Sequence, residues 1–426
     1  MPRLSSLIMK ALTAAGAAVV SLAFAVDWTT ATQQAKLQAS NVSSADTFGI
    51  SVSMSSDGNL ALVGATGEDT TAGGSGAAYI FTRSSSTWTE QTMLKASDAQ
   101  ANDKFGHSSF LSSDGNTAII GAYAEDTGAA NSGAAYIFTR SGSTWTEQAK
   151  IQASDKQDGD YFGWSVALSE NGNTAIIGAK FEDTGGTSTG AVYIFTRSGS
   201  TWTEQAKIQA SDKQAHDYFG ESVALSSDGN TAFVGAPDKY TIQGRAYIFT
   251  RSGSTWTQEA SIRASNYAAP AAYPRFGWSI SASGDGNTAI IGAKFEDTGG
   301  SNAGAAYIFT RDGTTWTEQA MIQASDKALS WHFGYSVSMS NDGNTVVVGA
   351  EYADTGGTAQ TGAVYFFTRD GTTWTEQSKI SASDGESDDQ FSKVALSGDG
   401  GTAIVGAVGE DTGGGNAGAV YILAAG

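Results

Sequence analysis

The chain contains no cysteine, only four prolines and three histidines among 426 residues. Without cysteine there is no disulfide framework and no thiolate zinc site. Basic residues are also sparse, since 24 Lys and Arg face 43 Asp and Glu for a formal net charge of −19. Binding to phosphate backbones or anionic membranes begins with Lys and Arg, so nucleic acid is not an expected partner. Beyond residue 25 there is no long apolar run, so no membrane insertion is expected of the rest of the chain.

The first 25 residues differ from everything after them. Arg3 and Lys10 precede the apolar run "ALTAAGAAVVSLAFA", and Ala23-Phe24-Ala25 has the small-x-small form of a cleavage site. A spanning helix needs about 20 apolar residues, and this run has 15. Residues 1–25 are therefore expected to be a secretory signal, and residues 26–426 a soluble protein that is secreted or held at a cell surface. Asn41-Val42-Ser43 is the one N-glycosylation sequon.

Glycine, by contrast, is abundant (53 residues), and the chain repeats itself. Phe-Gly begins at Phe48, Phe105, Phe162, Phe219, Phe276 and Phe333, at a constant spacing of 57 residues. Gly-Ala follows in register at Gly64, Gly121, Gly178, Gly235, Gly292, Gly349 and Gly406, with Gln390-Phe391 at the seventh Phe-Gly place. Each unit holds four strand signals, as in "SVALS", "TAIIGA", "GAAYIFTR" and "TWTEQAKIQA". Asp-Gly-Asn or a near variant separates the first two, and "SGST" or "DGTT" the last two, as tight hairpins require.

Seven four-stranded antiparallel units predict an all-β, seven-bladed β-propeller, with a linear solenoid as the alternative. Six units end in a Trp strand, at Trp88, Trp145, Trp202, Trp256, Trp316 and Trp374, but the seventh stops at "GAVYILAAG". The missing fourth strand stands at the other end, as "DWTTATQQAKLQAS" from Asp27. The N-terminal strand is thus expected to complete the last blade, whereas a solenoid needs polar caps.

The Phe-Gly and Gly-Ala signposts, followed by "GAAYIF", resemble FG-GAP repeats, the units of the integrin α-chain propeller and of many secreted microbial proteins. The resemblance covers residues 27–426 and implies the propeller fold and a binding or adhesion function. Only Gly235-Ala236-Pro237 keeps the full Gly-Ala-Pro. In integrin-type repeats the first loop supplies calcium ligands; here it is a hairpin such as Ser227-Asp228-Gly229-Asn230, with too few oxygens for a calcium cage. Its aspartate is expected to form the turn, and the "EDTGG" loops are expected to bond themselves. No metal or cofactor is expected.

Catalysis finds little support. His107, His216 and His332 sit in different units, neither an H-E-x-x-H nor a G-x-S-x-G catalytic motif is expected, and the acids come in identical copies rather than as one singular pair. The expectation is a non-enzymatic, monomeric recognition or adhesion module for an extracellular protein or glycan. A structural surface or virion component and a carbohydrate-active enzyme are the alternatives.

The "EDTGG" and inter-blade loops share one face, whose acids should attract cations. The residue after Phe-Gly varies from unit to unit, as Ile50, His107, Trp164, Glu221, Trp278 and Tyr335, with Ser392 at the seventh place. The candidate ligand-binding residues are His107, Tyr161, Trp164, Tyr218, Glu221, Trp278, Trp331 and Tyr335. The integrin resemblance implies an aromatic cage of Tyr161, Phe162, Trp164, Tyr218, Phe219, Phe276, Trp278, Phe333 and Tyr335, matched poorly by Ile50, His107 and Ser392, which receives a basic side chain of a partner; the alternative is that these rings only plug the central channel. A stacked sugar is the competing occupant.

Overall fold

The computed structural model describes residues 26–266, 273–355 and 357–426; the expected leader lies outside them. Seven four-stranded antiparallel sheets form the ring, six of them with their strands in sequence order from the axis outward. Blade 3 is representative, with strands Phe162–Leu168, Thr174–Ala179, Ala191–Ser198 and Thr201–Ile208. In blade 7 the three strands Phe391–Leu396, Thr402–Ala407 and Ala419–Ala424 are completed by the N-terminal strand Thr32–Leu37. The ring is closed as expected, with Leu37 opposite Val420 and Thr32 opposite Ala424. Trp28 adds to the seam by stacking on Phe366 of blade 6 at 3.7 Å and donating its Nε1–H to Gly400 O at 3.0 Å.

The core lies between blades. The second strand, "TAIIGA" in blade 3, is buried at all six positions, because a neighbouring blade covers each of its faces. One cluster joins Ile119, Ala135 and Ile137 of blade 2 to Phe162, Ile177 and Tyr193 of blade 3. The Phe-Gly phenylalanines belong to these clusters. Phe162 is wholly buried and meets Tyr193 edge-to-face at 5.5 Å. Phe162, Phe219, Phe276 and Phe333 are therefore core residues and do not form part of a cage.

The two glycine signposts mark close approach between blades. A Cβ on Gly121 would stand 2.0 Å from the carbonyl oxygen of Gly163 in the next blade. Gly163 itself has φ +92, and a Cβ there would stand 2.3 Å from Ala134 O.

Blade 7 departs from the expected register. Phe391, rather than Gln390, takes the Phe-Gly place: it pairs with Ala407 as Phe333 pairs with Ala350, and Gln390 (φ 57) shares the left-handed backbone of His332 (φ 57). One residue is missing after it, so Lys393 pairs with Gly406 where Ser336 pairs with Gly349. Ser392 is buried and Lys393 supplies the variable side chain.

The Asp-Gly-Asn hairpins surround the opposite end of the axis. Asp114 accepts from Ser112 Oγ (2.6 Å) and Asn116 N (2.9 Å), so the turn consumes its carboxylate. A belt of backbone hydrogen bonds links the hairpins, from Ser56 N to Ser113 O, Ser113 to Glu170, Glu170 to Ser227, Ser227 to Gly284, Gly284 to Asn341 and Asn341 to Gly398, at 2.8–3.2 Å. The belt closes through Asp399 N to Ser56 O at 3.4 Å. Inside it lies an axial cavity of about 240 Å³, walled by side chains such as Val52, Phe110, Leu168 and Leu396.

Candidate functional site

Each blade contributes the start of its innermost strand to the loop-face mouth of the axis. Every residue preceding the phenylalanine has φ between 53° and 60°, from Thr47 to Gln390, so the chain turns sharply into the strand. The side chain after the glycine is thereby delivered to the axis. A pocket of about 230 Å³ is lined there by Ile50, His107, Trp164, Glu221, Trp278 and Lys393.

Of the expected site residues, His107, Trp164, Glu221 and Trp278 meet in this pocket, and Tyr335 stacks beside Trp278 at 6.3 Å. Tyr161 flanks the pocket, 5.0 Å from both Tyr123 and Phe181, and Tyr218 packs on the other side of Phe181 at 5.3 Å. Burial, with help from Lys393 and Lys180, pushes the His107 imidazole down to about 3, so it stays neutral at physiological pH.

Trp331 does not join them. It stands where other blades carry a buried aspartate, such as Asp160, and it packs in the blade 6 core with Ala353 and Phe333. Its ring meets Lys379 Nζ at 4.6 Å. Trp331 is therefore a core substitution, and Ala353 of the same cluster stands where five other loops carry glutamate.

The aromatic faces are already occupied. Lys180 Nζ lies 3.3 Å from the Trp164 ring centre and Lys294 Nζ 3.4 Å from that of Trp278. Lys393 Nζ lies 4.3 Å from the centre of Tyr335. Each such contact is worth about 0.5–2 kcal/mol. Lys180 also pairs with Glu221 at 3.0 Å, and Glu221 accepts from Trp164 Nε1 at 3.3 Å. The cation expected from a partner is thus supplied by the chain itself, and the local charge is not the acidic one expected. The signal was legible: the two blades with Trp after Phe-Gly are the two that read "GAKFEDTGG", with Lys after Gly-Ala.

The acids of the loop face are largely spoken for. In blade 2, Lys150 pairs with Asp98 (2.6 Å) and the buried Glu125 (2.8 Å), while Tyr136 donates to Asp98 at 2.8 Å. Asp98 closes the preceding blade, so the cluster clamps one blade to the next. Asp183 of the blade 3 "EDTGG" loop accepts from Ser188 N at 2.6 Å, bonding its own loop as expected.

Against the expectation of no such motif, Gly186-Thr187-Ser188-Thr189-Gly190 has the G-x-S-x-G spelling of a nucleophile turn. It is a loop before a strand and not a strand-to-helix elbow, and the left-handed Ser188 (φ 52) matches Asn131 (φ 49) and Asn302 (φ 53) of other blades. His332 Nδ1 faces Glu351 Oε2 at 3.5 Å, but among the described residues no three His, Asp or Glu side chains converge as a metal set.

A family model described as FG-GAP repeat matches residues 31–81, 88–138, 145–195, 202–249, 256–309, 316–367 and 374–423. No curated protein matches. Among solved structures, a chain of the hydrazine synthase of Kuenenia stuttgartiensis is similar with a TM-score of 0.56 at 12% identity, over 87% of this chain and 95% of that one. At that identity the likeness concerns the fold alone.

Proposed function

The chain belongs to the FG-GAP repeat family, and on that premise we propose that it is a non-enzymatic, extracellular, monomeric recognition module whose ligand meets the aromatic mouth of the loop face. One observation carries this reading. The blades are near copies, yet the residue after Phe-Gly runs Ile50, His107, Trp164, Glu221, Trp278 and Tyr335. The first five line one pocket and Tyr335 stacks beside Trp278 at its edge. Variation at the junctions comes as matched exchanges that packing explains, whereas packing gives little reason for the variety at the axis and a ligand touching several blades at once does.

The reading is tested by glycan-array binding and by capture from the protein's native surroundings, with wild type and the Trp164→Ala, Trp278→Ala double variant. Wild type is expected to retain a ligand that the double variant loses while its melting temperature stays within a few degrees. Retention of the same ligand by the double variant would remove the mouth from the function.

A further inference from the structure

Resting on the recognition reading above, we propose that the mouth takes the carboxylate of a compact acidic saccharide, with Lys294 and Lys393 as the cations that meet it. Four cations, Lys180, Arg275, Lys294 and Lys393, crowd the mouth beside Glu221, Asp238 and Glu351. Each carboxylate has a contact of its own: Glu221 with Lys180 at 3.0 Å, Asp238 with Arg275 at 3.0 Å and Glu351 with His332 at 3.5 Å. Neither Lys294 nor Lys393 lies within 4.0 Å of a carboxylate of any described residue, as all the other close pairs of this region do.

For Lys294 the surroundings make that vacancy costly. Lys294 is 8% exposed, and its ammonium rests on the Trp278 ring. A desolvated ammonium without a counter-charge is unfavourable, and a ring face offsets only part of the cost. Burial pushes Lys294 down to about 8 against the pull of Glu351, with Lys393 and Arg275 adding repulsion. Burial works against the Lys393 charge too, but Tyr335 and Glu351 hold it above the usual lysine range. Both are ammonium groups at neutral pH, and a ligand carboxylate would give them charge-assisted hydrogen bonds.

Three features select the ligand class. The pocket, about 230 Å³, admits one compact group, and Lys393 is on its wall. The net charge of −19 repels extended polyanions such as nucleic acids, so a single carboxylate on a polar body is favoured. The Trp164 and Trp278 faces are taken by Lys180 and Lys294, but Ser108, Ser165, Ser222 and Ser279 also line the pocket, and their hydroxyl oxygens offer acceptors to the hydroxyl groups of a sugar.

The test is calorimetric titration of the full chain with D-glucuronate, its methyl ester, D-glucose and inorganic phosphate. Glucuronate is expected to bind one per chain, with the ester and glucose weaker by about tenfold or more, the loss of one charge-assisted contact. Lys294→Met and Lys393→Met, which keep the apolar stem, are expected to weaken glucuronate by a similar factor, and Lys294→Met to do so without lowering the melting temperature, since it removes an unpaired buried charge. No glucuronate binding, or equal binding of acid and ester, overturns the proposal; this comparison needs no variant and so does not depend on one folding. Phosphate binding as tightly as glucuronate would show a plain oxyanion site and overturn the saccharide assignment. If the tryptophan pair abolishes capture of the native partner while no acid binds, the carboxylate proposal falls and recognition stands. If capture survives the tryptophan pair, the recognition reading falls as well.

Discussion

A glycine can be required by its backbone angles or by what lies against it, and here the two cases separate cleanly. Gly142, in a tight turn at φ +62, has nothing within 4 Å of the place a Cβ would take, whereas Gly121 would put that carbon 2.0 Å from Gly163 O. Gly142→Ala is expected to cost about 1 kcal/mol, the left-handed penalty. Gly121→Ala, which forces two blades apart, is expected to cost more, about 2–4 kcal/mol, and the order of the two melting temperatures checks this. Aspartates of the blade junctions set the pH response. Burial, with Glu182 nearby, pushes Asp160 up to about 6, and Asp103 and Asp389 behave alike. An acid whose folded pKa exceeds its unfolded value of about 3.9 loses stability on ionising, so stability rises as pH falls from 7 toward 5. Asp155 has the opposite sign: despite burial, Lys207 and Tyr193 hold it below the usual range, and its contribution is lost as pH falls below about 4. The melting temperature is therefore expected to peak between about pH 4 and 6, and Asp160→Asn to flatten the slope between pH 5 and 7. A melting temperature that climbs steadily from pH 5 to 8 would contradict this assignment. The repeat spacing made these glycines visible in the sequence, but their reason, an atom of the next blade, lies some 40 residues away and has no local signature.

Among the blades, one device is built in several chemical versions. Blades 2 and 3 use Asp, Lys and Glu, as Asp155, Lys207 and Glu182, with the two ion pairs at 2.7 Å. In blade 1 the aspartate is Asn41 and the lysine is Met93; Asn41 takes the Tyr79 hydroxyl at 2.8 Å and donates to Glu68 at 3.1 Å. Blade 5 makes the same joint exchange with Asn266 and Met321. In blade 4 the lysine has moved to the glutamate place as Lys239, fully buried and 2.8 Å from Asp217. Where the lysine is absent the second carboxylate is absent too, so Glu68 and Glu296 are buried beside an amide rather than beside a like charge. Asn41→Asp should therefore destabilise the protein by about 1–3 kcal/mol, and adding Met93→Lys should recover most of it by rebuilding the blade 2 arrangement. A double-mutant cycle by denaturant unfolding measures the coupling, and a coupling near zero would show that the two positions do not share one network. This covariation was present in the aligned repeats, whereas the strands themselves were legible from alternation and turn residues alone. Asn41 also bears on the sequon, since the amide that a glycan would modify is the one that donates to Glu68.

At the level of the ring, closure rests on a short strand joined across nearly the whole chain. Thr32–Leu37 contributes the outer strand of blade 7, and Lys36 pairs there with Asp384 of the preceding blade's exit and with the buried Glu410, both at 2.7 Å. Tyr421 donates to the same Asp384 at 2.9 Å. The seam thus repeats the clamp of Lys150, Asp98 and Glu125, with the difference that its lysine comes from the opposite end of the sequence. Removing residues 26–40 deletes this strand, the Trp28 ring against Phe366 and the only cation of the blade 7 clamp. Glu410 is then buried without its lysine, and Ala419–Ala424, at present a covered strand, becomes an edge with unpaired backbone groups. Inter-blade packing elsewhere is untouched, so the shortened chain is expected to keep most of its β circular dichroism while its melting temperature falls by roughly 10 °C or more, as a loss of several kcal/mol implies. Light scattering should show association through the exposed edge, and a peptide of residues 26–40 added in excess should restore the monomer by filling the vacant strand. A truncated chain that melts with wild type and stays monomeric would mean that the other blades hold the ring without this seam.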